Sequence, residues 1–234
     1  IEVNPRASRT IPFISKVKDI PYAKYAAQIA GGRKIKDLNL NYDQTNLIAV
    51  KKPVFPFNKF PDQKIFLSPE MRSTGEVIGF DTQLGSAYAK AEIGAGNILP
   101  LSGTCFISVN DSDKNKILKV TRDLLEMNFN IIATSGTADL LNQNGILSIN
   151  IFKVGEGRPN IVDEIKNNNV SIIINTPLGA QSRYDEYEIG KAAIKYNIPV
   201  ITTIAGAQAA VRAIRILNSK TLQYKSLQAI FNTQ

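Results

Sequence analysis

Along the second half of the chain, short apolar runs alternate with segments whose apolar positions recur at helical spacing. Residues Thr104–Val109 predict a strand, Asp113–Met127 an amphipathic helix with Ile117, Val120 and Leu124 on one stripe, and Asn130–Ala133 a second strand. A short helix is expected after Thr137, then an extended run over Ile149–Val154 and an apolar run over Val170–Ile174. A helix over Asp185–Tyr196, a strand over Pro199–Thr203 and a helix over Gln208–Leu217 complete the series. This alternation predicts an α/β fold whose helices cover a parallel sheet.

The first hundred residues have a different texture. Pro12, Pro21, Pro53, Pro56, Pro61, Pro69 and Pro100 divide them into short segments, which predicts irregular structure draped on a core supplied elsewhere. A helix is expected at Tyr22–Ala30, strands at Leu47–Val54 and Glu76–Phe80, and a helix from Thr82 to Ile93. Gly94-Ala95-Gly96-Asn97 ends that helix and marks the expected domain boundary. Ile1-Glu2-Val3-Asn4 reads as the end of a strand, so the chain is expected to be cut from something longer.

Composition narrows the chemistry. With 234 residues and 44% hydrophobic content, the chain suffices for one large domain or two small ones. No apolar run reaches the ~18 to 20 residues that span a bilayer, and no signal-peptide layout opens the chain. A soluble protein of the cytoplasm or an organelle stroma is expected, with no membrane partner. The single cysteine, Cys105, excludes an internal disulfide and a cysteine-cluster metal site. Histidine is absent, which removes imidazole acid-base catalysis, histidine-based triads and histidine-ligated zinc. The net charge of +8 is spread along the chain without an aromatic-basic ladder, so small phosphorylated ligands carry at least equal weight with nucleic acid, and the partner expected is a small anion and no nucleic acid.

Ligands of open parallel sheets gather at the carboxyl ends of the strands, where helix N-termini expose N–H groups. Thr134-Ser135-Gly136-Thr137 follows a strand and opens a helix there. It reads either as an anion loop or as ordinary N-cap chemistry. Asn175-Thr176-Pro177-Leu178-Gly179 is a second candidate, or simply a turn. Lys153, followed by Gly155-Glu156-Gly157-Arg158-Pro159, suits a phosphate between the two, and Lys114 after Ser108 reads either way. At the N-terminus, Glu2 and Asn4 share one strand face and precede Arg6 and Arg9. This set suits Mg²⁺ and phosphate, or equally a surface salt-bridge cluster.

Several strings then carry a resemblance: IEVNPRASRTIP at Ile1–Pro12, FPFNKFP at Phe55–Pro61, SPEMRSTGEV at Ser68–Val77, GEGRPNI at Gly155–Ile161 and IINTPLG at Ile173–Gly179. In order and nearly end to end, they resemble the C-terminal portion of the carbamoyl-phosphate synthase large-subunit family. The resemblance implies that residues 1–93 form the C-terminal edge of the carbamoyl-phosphate-forming ATP-grasp domain. Residues 94–234 would then form an allosteric parallel-sheet domain of the methylglyoxal-synthase-like kind. It also implies metal contacts at Glu2 and Asn4 for Mg²⁺ or Mn²⁺, and catalytic phosphate and carbamate contacts at Arg6 and Arg9. In the intact ligase the implied reactants are ATP, bicarbonate and ammonia from a glutaminase small subunit.

For the allosteric half, the resemblance implies a nucleotide effector, UMP or IMP, held through Ser108, Lys114, Thr134, Gly136, Thr137, Lys153 and Asn175. Pro177 stands where some members place a further threonine donor. Homo-oligomerisation through this half is also expected. In members activated by ornithine, a glutamate and a tyrosine occupy the positions of Lys52 and Val200, while Thr202 is retained. The rival reading is a free-standing methylglyoxal synthase, an enzyme that uses an aspartate base with histidines. This chain has no histidine.

Overall fold

The computed structural model describes residues 8, 10–38, 40, 46–55, 73–176 and 182–231. Two short helices, α1 (Thr10–Lys18) and α2 (Tyr22–Ala30), come first and bury none of their residues. β1 (Ile48–Val54) and β2 (Gly75–Asp81) then pair antiparallel, with Ile48 opposite Asp81 and Val54 opposite Gly75. Helix α3 (Leu84–Gly94) lies on this ribbon, and Gly96 beyond its end takes φ +83, the left-handed conformation that glycine adopts without steric cost.

The rest of the chain builds the expected parallel sheet from β3 (Gly103–Val109), β4 (Phe129–Thr134), β5 (Ile149–Ile151), β6 (Ile172–Thr176) and β7 (Val200–Ile201). Their order is β5-β4-β3-β6-β7, all pairs parallel. The chain runs outward from β3 in one direction, then returns to lay β6 on its other side. That reversal makes the β3/β6 junction a topological switch point, where ligands settle in open α/β sheets.

Alternate residues of each strand feed two apolar layers. Cys105, Ile107, Ile131, Ala133, Ile172 and Ile174 face α4 (Lys114–Glu126), α5 (Ser135–Gln143) and α8 (Ile204–Ser219). Phe106, Ile132, Ile151 and Ile173 face α6 (Ile161–Lys166) and α7 (Ser182–Lys195). The stripe Ile117, Val120 and Leu124 is buried as its spacing predicts. A last helix, α9 (Leu227–Phe231), sets Phe231 edge-on to Phe80 with ring centroids 6.5 Å apart.

Helix α3 is seated between the ribbon and α8 by glycine on both sides. A β-carbon on Gly79 would lie 2.0 Å from the Ala87 carbonyl oxygen, and one on Gly85 would lie 2.6 Å from that of Arg212. Ala89 of α3 belongs to the same apolar layer as the sheet. Lys52 of β1 reaches α3 to form an ion pair with Glu92, which is 3% exposed. Asn97 donates to the other Glu92 oxygen at 2.9 Å.

Several elements differ from the sequence expectation. Helix α5 starts at Ser135 and not after Thr137, because Thr134 is still extended (φ −66, ψ 152) and the chain turns helical directly after it. Helices α1, α6 and α9 were not expected, and α7 begins three residues before Asp185. The expected strand at Ile1–Asn4 lies outside the described residues.

Candidate functional site

Parallel register brings three polar residues into one row at the carboxyl edge of the sheet. Ser108 of β3 lies opposite Asn175 of β6, and Ile107 opposite Ala133 puts Thr134 of β4 level with Ser108 on the other side. All three continue the Phe106, Ile132 and Ile173 face, so an apolar layer gives way to hydroxyl, hydroxyl and amide at the strand ends. Thr134 and Asn175 are buried, at 5% and 8% exposure. The Thr134 hydroxyl lies within hydrogen-bond distance of Ser108 Oγ, at 3.3 Å, and of Thr137 Oγ1, at 3.4 Å, and its single proton serves one of them at a time.

Those bonds decide what Thr134 does. It occupies the N-cap position of α5, yet its side chain does not cap the helix. The first turn of α5, with the positive end of its dipole, therefore faces the row without a side-chain acceptor from Thr134. Thr137 Oγ1 accepts instead from the Val109 amide, at 3.4 Å, which ties α5 to the end of β3.

Lys114, the first residue of α4, crosses to this turn. Its Nζ lies 3.7 Å from where a β-carbon on Gly136 would stand, and 2.7 Å from Asp111 Oδ1. The ammonium bonded to Asp111 holds that carboxyl below its ordinary range. At the switch point itself, Asn110 donates hydrogen bonds to β6. Its amide nitrogen donates to Thr176 Oγ1 at 3.3 Å, and its Nδ2 to the Thr176 carbonyl at 3.1 Å and Asp113 Oδ2 at 2.9 Å. Burial pushes the Asp113 carboxyl up, but hydrogen bonds from Asn110, Thr176 and Lys116 outweigh it and leave it lowered.

Lys153 stands two residues beyond Ile151, which pairs with Thr134. Its Nζ is 3.9 Å from Glu156 Oε1, in the turn that follows β5. Asp185 on α7 lies in the field of both. Burial raises its carboxyl pKa, the Lys153 ammonium opposes the rise, and the Glu156 charge adds to it.

Of the residues expected from the sequence, Ser108, Thr134 and Thr137 are linked through the Thr134 hydroxyl, and Lys114 Nζ stands beside Gly136 in the same helical turn as Thr137. Asn175 adjoins them by register, and Lys153 sits at the end of the neighbouring strand. Glu2, Asn4, Arg6, Arg9 and Pro177 lie outside the described residues. Sequence reading missed Asn110, Asp111 and Asp113, while Thr176 lay within the second candidate loop. The Asn110–Asp113 and Asp111–Lys114 spacings of three were the available signal. Among the described residues no group of three or more Asp, Glu, Cys or His side chains could hold a metal ion. None of the described helices is long and apolar enough to cross a membrane.

Comparison with known proteins places the chain among its relatives. Residues 116–202 match the MGS-like domain family. The chain is 47% identical over 229 residues to the carbamoyl phosphate synthase large chain of Nostoc sp., covering 97% of this chain and 21% of that protein. It is 50% identical over 230 residues to that of Archaeoglobus fulgidus, with 97% and 21% covered. Against that of Pseudomonas syringae it is 46% identical over 224 residues, with 95% and 21% covered. The chain therefore spans about a fifth of the length of these relatives. Its fold is α/β, an MGS-like parallel sheet preceded by the C-terminal edge of an ATP-grasp domain. Over nearly its whole length, the chain is homologous to the C-terminal portion of the carbamoyl phosphate synthase large chain.

Proposed function

We propose that the parallel-sheet half binds the phosphate of a nucleotide effector, UMP or IMP, at the strand-end row. The supporting observation is the register that sets Ser108, Thr134 and Asn175 side by side below the first turn of α5, with Lys114 over Gly136. Amides at a helix N-terminus, hydroxyl and amide donors and two ammonium groups are what a phosphate needs. Lys153 completes the set from the end of β5.

In this reading residues 1–93 are the edge of a catalytic ATP-grasp domain, and 94–234 the allosteric domain that reports nucleotide levels to it. The contact of α3 with α8 gives a physical route between them, since both helices share one apolar layer. The longer protein makes carbamoyl phosphate from bicarbonate, glutamine-derived ammonia and two ATP, for pyrimidine and arginine biosynthesis in the cytoplasm. A glutaminase small subunit is its partner, and copies associate through the allosteric half. Glu2 and Asn4 would face Mg²⁺ or Mn²⁺, with Arg6 and Arg9 on the transferred groups. The 234-residue chain alone is inactive, because it carries only one rim of that catalytic site.

A thermal-shift panel with UMP, IMP, UTP and ornithine tests the reading, since a ligand that binds only the folded state raises its apparent stability by mass action. A rise with UMP or IMP that Lys153→Ala or Lys114→Met removes is the expected result. No shift with any nucleotide at millimolar concentration overturns the effector reading.

A further inference from the structure

The two edges of the parallel sheet are not alike. β7 is two residues long and follows Pro199, and short strands and prolines keep an edge from pairing with another chain. β5 forms the opposite edge, with β4 on one side of it only. From Leu140 to Phe152 the chain carries neither a charge nor a proline. Leu147, just before the strand, is 82% exposed, and Ile149 within it 66%. Ser148 between them is buried, with its amide donating to Asn142 Oδ1 at 3.0 Å, so the apolar side chains beside it are turned outward. Past the strand, Phe152 bridges to Asn160, which limits the open edge to this stretch.

An open apolar edge is a template for another strand, and its own sequence says which one. Leu147-Ser148-Ile149-Asn150-Ile151 alternates apolar and polar residues and keeps that alternation when read backwards. Antiparallel pairing of two copies about Ile149 sets Ile149 beside its counterpart, Leu147 beside Ile151 of the second copy, and Ser148 beside its Asn150. Opposite residues in such a pair point to the same face, so the apolar side chains gather on one side. Lys153, the first charge beyond the strand, falls opposite Gly145. Each copy carries a net charge of +8, and like charges set directly opposite destabilise a strand pair. At this edge two such copies meet without placing one charge against another.

We infer that β5 of one copy pairs antiparallel with β5 of a second copy, joining two five-stranded sheets across a twofold axis. This rests on the reading that copies associate through the allosteric half, and names the surface they use. The open stretch is short, so the contact is of the weak, concentration-dependent kind. Ile151, within the seam, is also the strand partner of Thr134, so the row of the candidate phosphate site begins one strand away from the contact.

Sedimentation equilibrium of the chain from micromolar to near-millimolar concentration tests the pairing. The wild-type mass is expected to rise from 25.7 kDa toward twice that value. Ile149→Lys and Ile149→Glu each place like charges across the axis and are expected to stay monomeric, with melting temperatures unchanged at low concentration because the side chain is exposed. Their equimolar mixture puts lysine against glutamate and is expected to regain association. Wild type that stays monomeric throughout removes both the association reading and the proposal. Association that both variants retain sinks the β5 edge and leaves the copies meeting through another surface. Variants that dissociate and do not recover on mixing overturn the antiparallel self-pairing.

Discussion

The ammonium of Lys114 stands 3.7 Å from the point at which a β-carbon on Gly136 would lie. A methyl group there meets the lysine at ordinary van der Waals distance and covers the amides of the first turn of α5. Gly136 is helical, and alanine suits a helix better than glycine by about 0.5 to 1 kcal/mol. Gly136→Ala is therefore expected to leave the melting temperature unchanged or raised while weakening UMP binding. A variant with wild-type affinity by calorimetry would remove the α5 amides from the site.

The seat of α3 predicts the opposite kind of effect. A β-carbon on Gly85 would meet the Arg212 carbonyl oxygen at 2.6 Å, and backbone cannot swing aside as a side chain does. Overpacking of this kind costs about 1 to 3 kcal/mol. Gly85→Ala should lower the urea midpoint by that amount, and in one transition if the ribbon and the sheet unfold together. Loss of helix at low urea with the sheet intact would show α3 to be an independent unit.

Asp185 gives a pH prediction. Burial raises its carboxyl pKa in the folded chain, against the opposing Lys153 charge. The folded state then binds more protons than the unfolded one just above the ordinary value of 3.8, and stability falls as pH rises through that interval. Asp185→Asn should raise the melting temperature at neutral pH, with the gain fading in acid. Lys153→Ala should move the Asp185 pKa further up in an NMR titration. A fall instead would show that the two side chains do not share a field.

These expectations also show what the sequence could reveal. The stripe Ile117, Val120 and Leu124 and the apolar runs of β3, β4 and β6 identified the sheet and its covering helix, because burial on one face leaves a period. Helix α1 was hidden by Pro12, which reads as a breaker but sits in the first turn, where the missing N–H has no partner to lose. Helix α6 has six residues, too few for a period, and only the Asn160–Asp163 capping box marked its start. In the site, Ser108, Thr134 and Asn175 could be named one by one, but their alignment depends on strand register, which local sequence does not contain. Asp111 and Glu156 read as ordinary surface charge until Lys114 and Lys153 were placed beside them.

The last prediction concerns Lys52. In relatives activated by ornithine, the resemblance puts a glutamate at this position to receive the ligand's ammonium group. Here a lysine occupies it, and that lysine is paired with buried Glu92, whose second oxygen is taken by Asn97. Burial, together with the charge and hydrogen bond of Glu92, also holds the Tyr88 phenol far above its ordinary pKa. An arriving ammonium group would meet a cation, with the nearest carboxylate already shared among three neighbours. Exchanging attraction for repulsion costs about 1 to 4 kcal/mol for each term at ~4 Å. Val200, where those relatives carry a tyrosine, is 38% exposed and offers no donor or acceptor of its own side chain. Ornithine is therefore expected not to activate the intact large chain, followed by ATP synthesis from carbamoyl phosphate; saturable activation below millimolar ornithine would contradict this. Breaking the pair by Lys52→Met should cost on the order of 2 to 4 kcal/mol by urea titration, because it leaves Glu92 buried without its cation. Adding Glu92→Gln should recover most of that loss. A double variant no better than Lys52→Met alone would show that Lys52 acts through packing and not through charge.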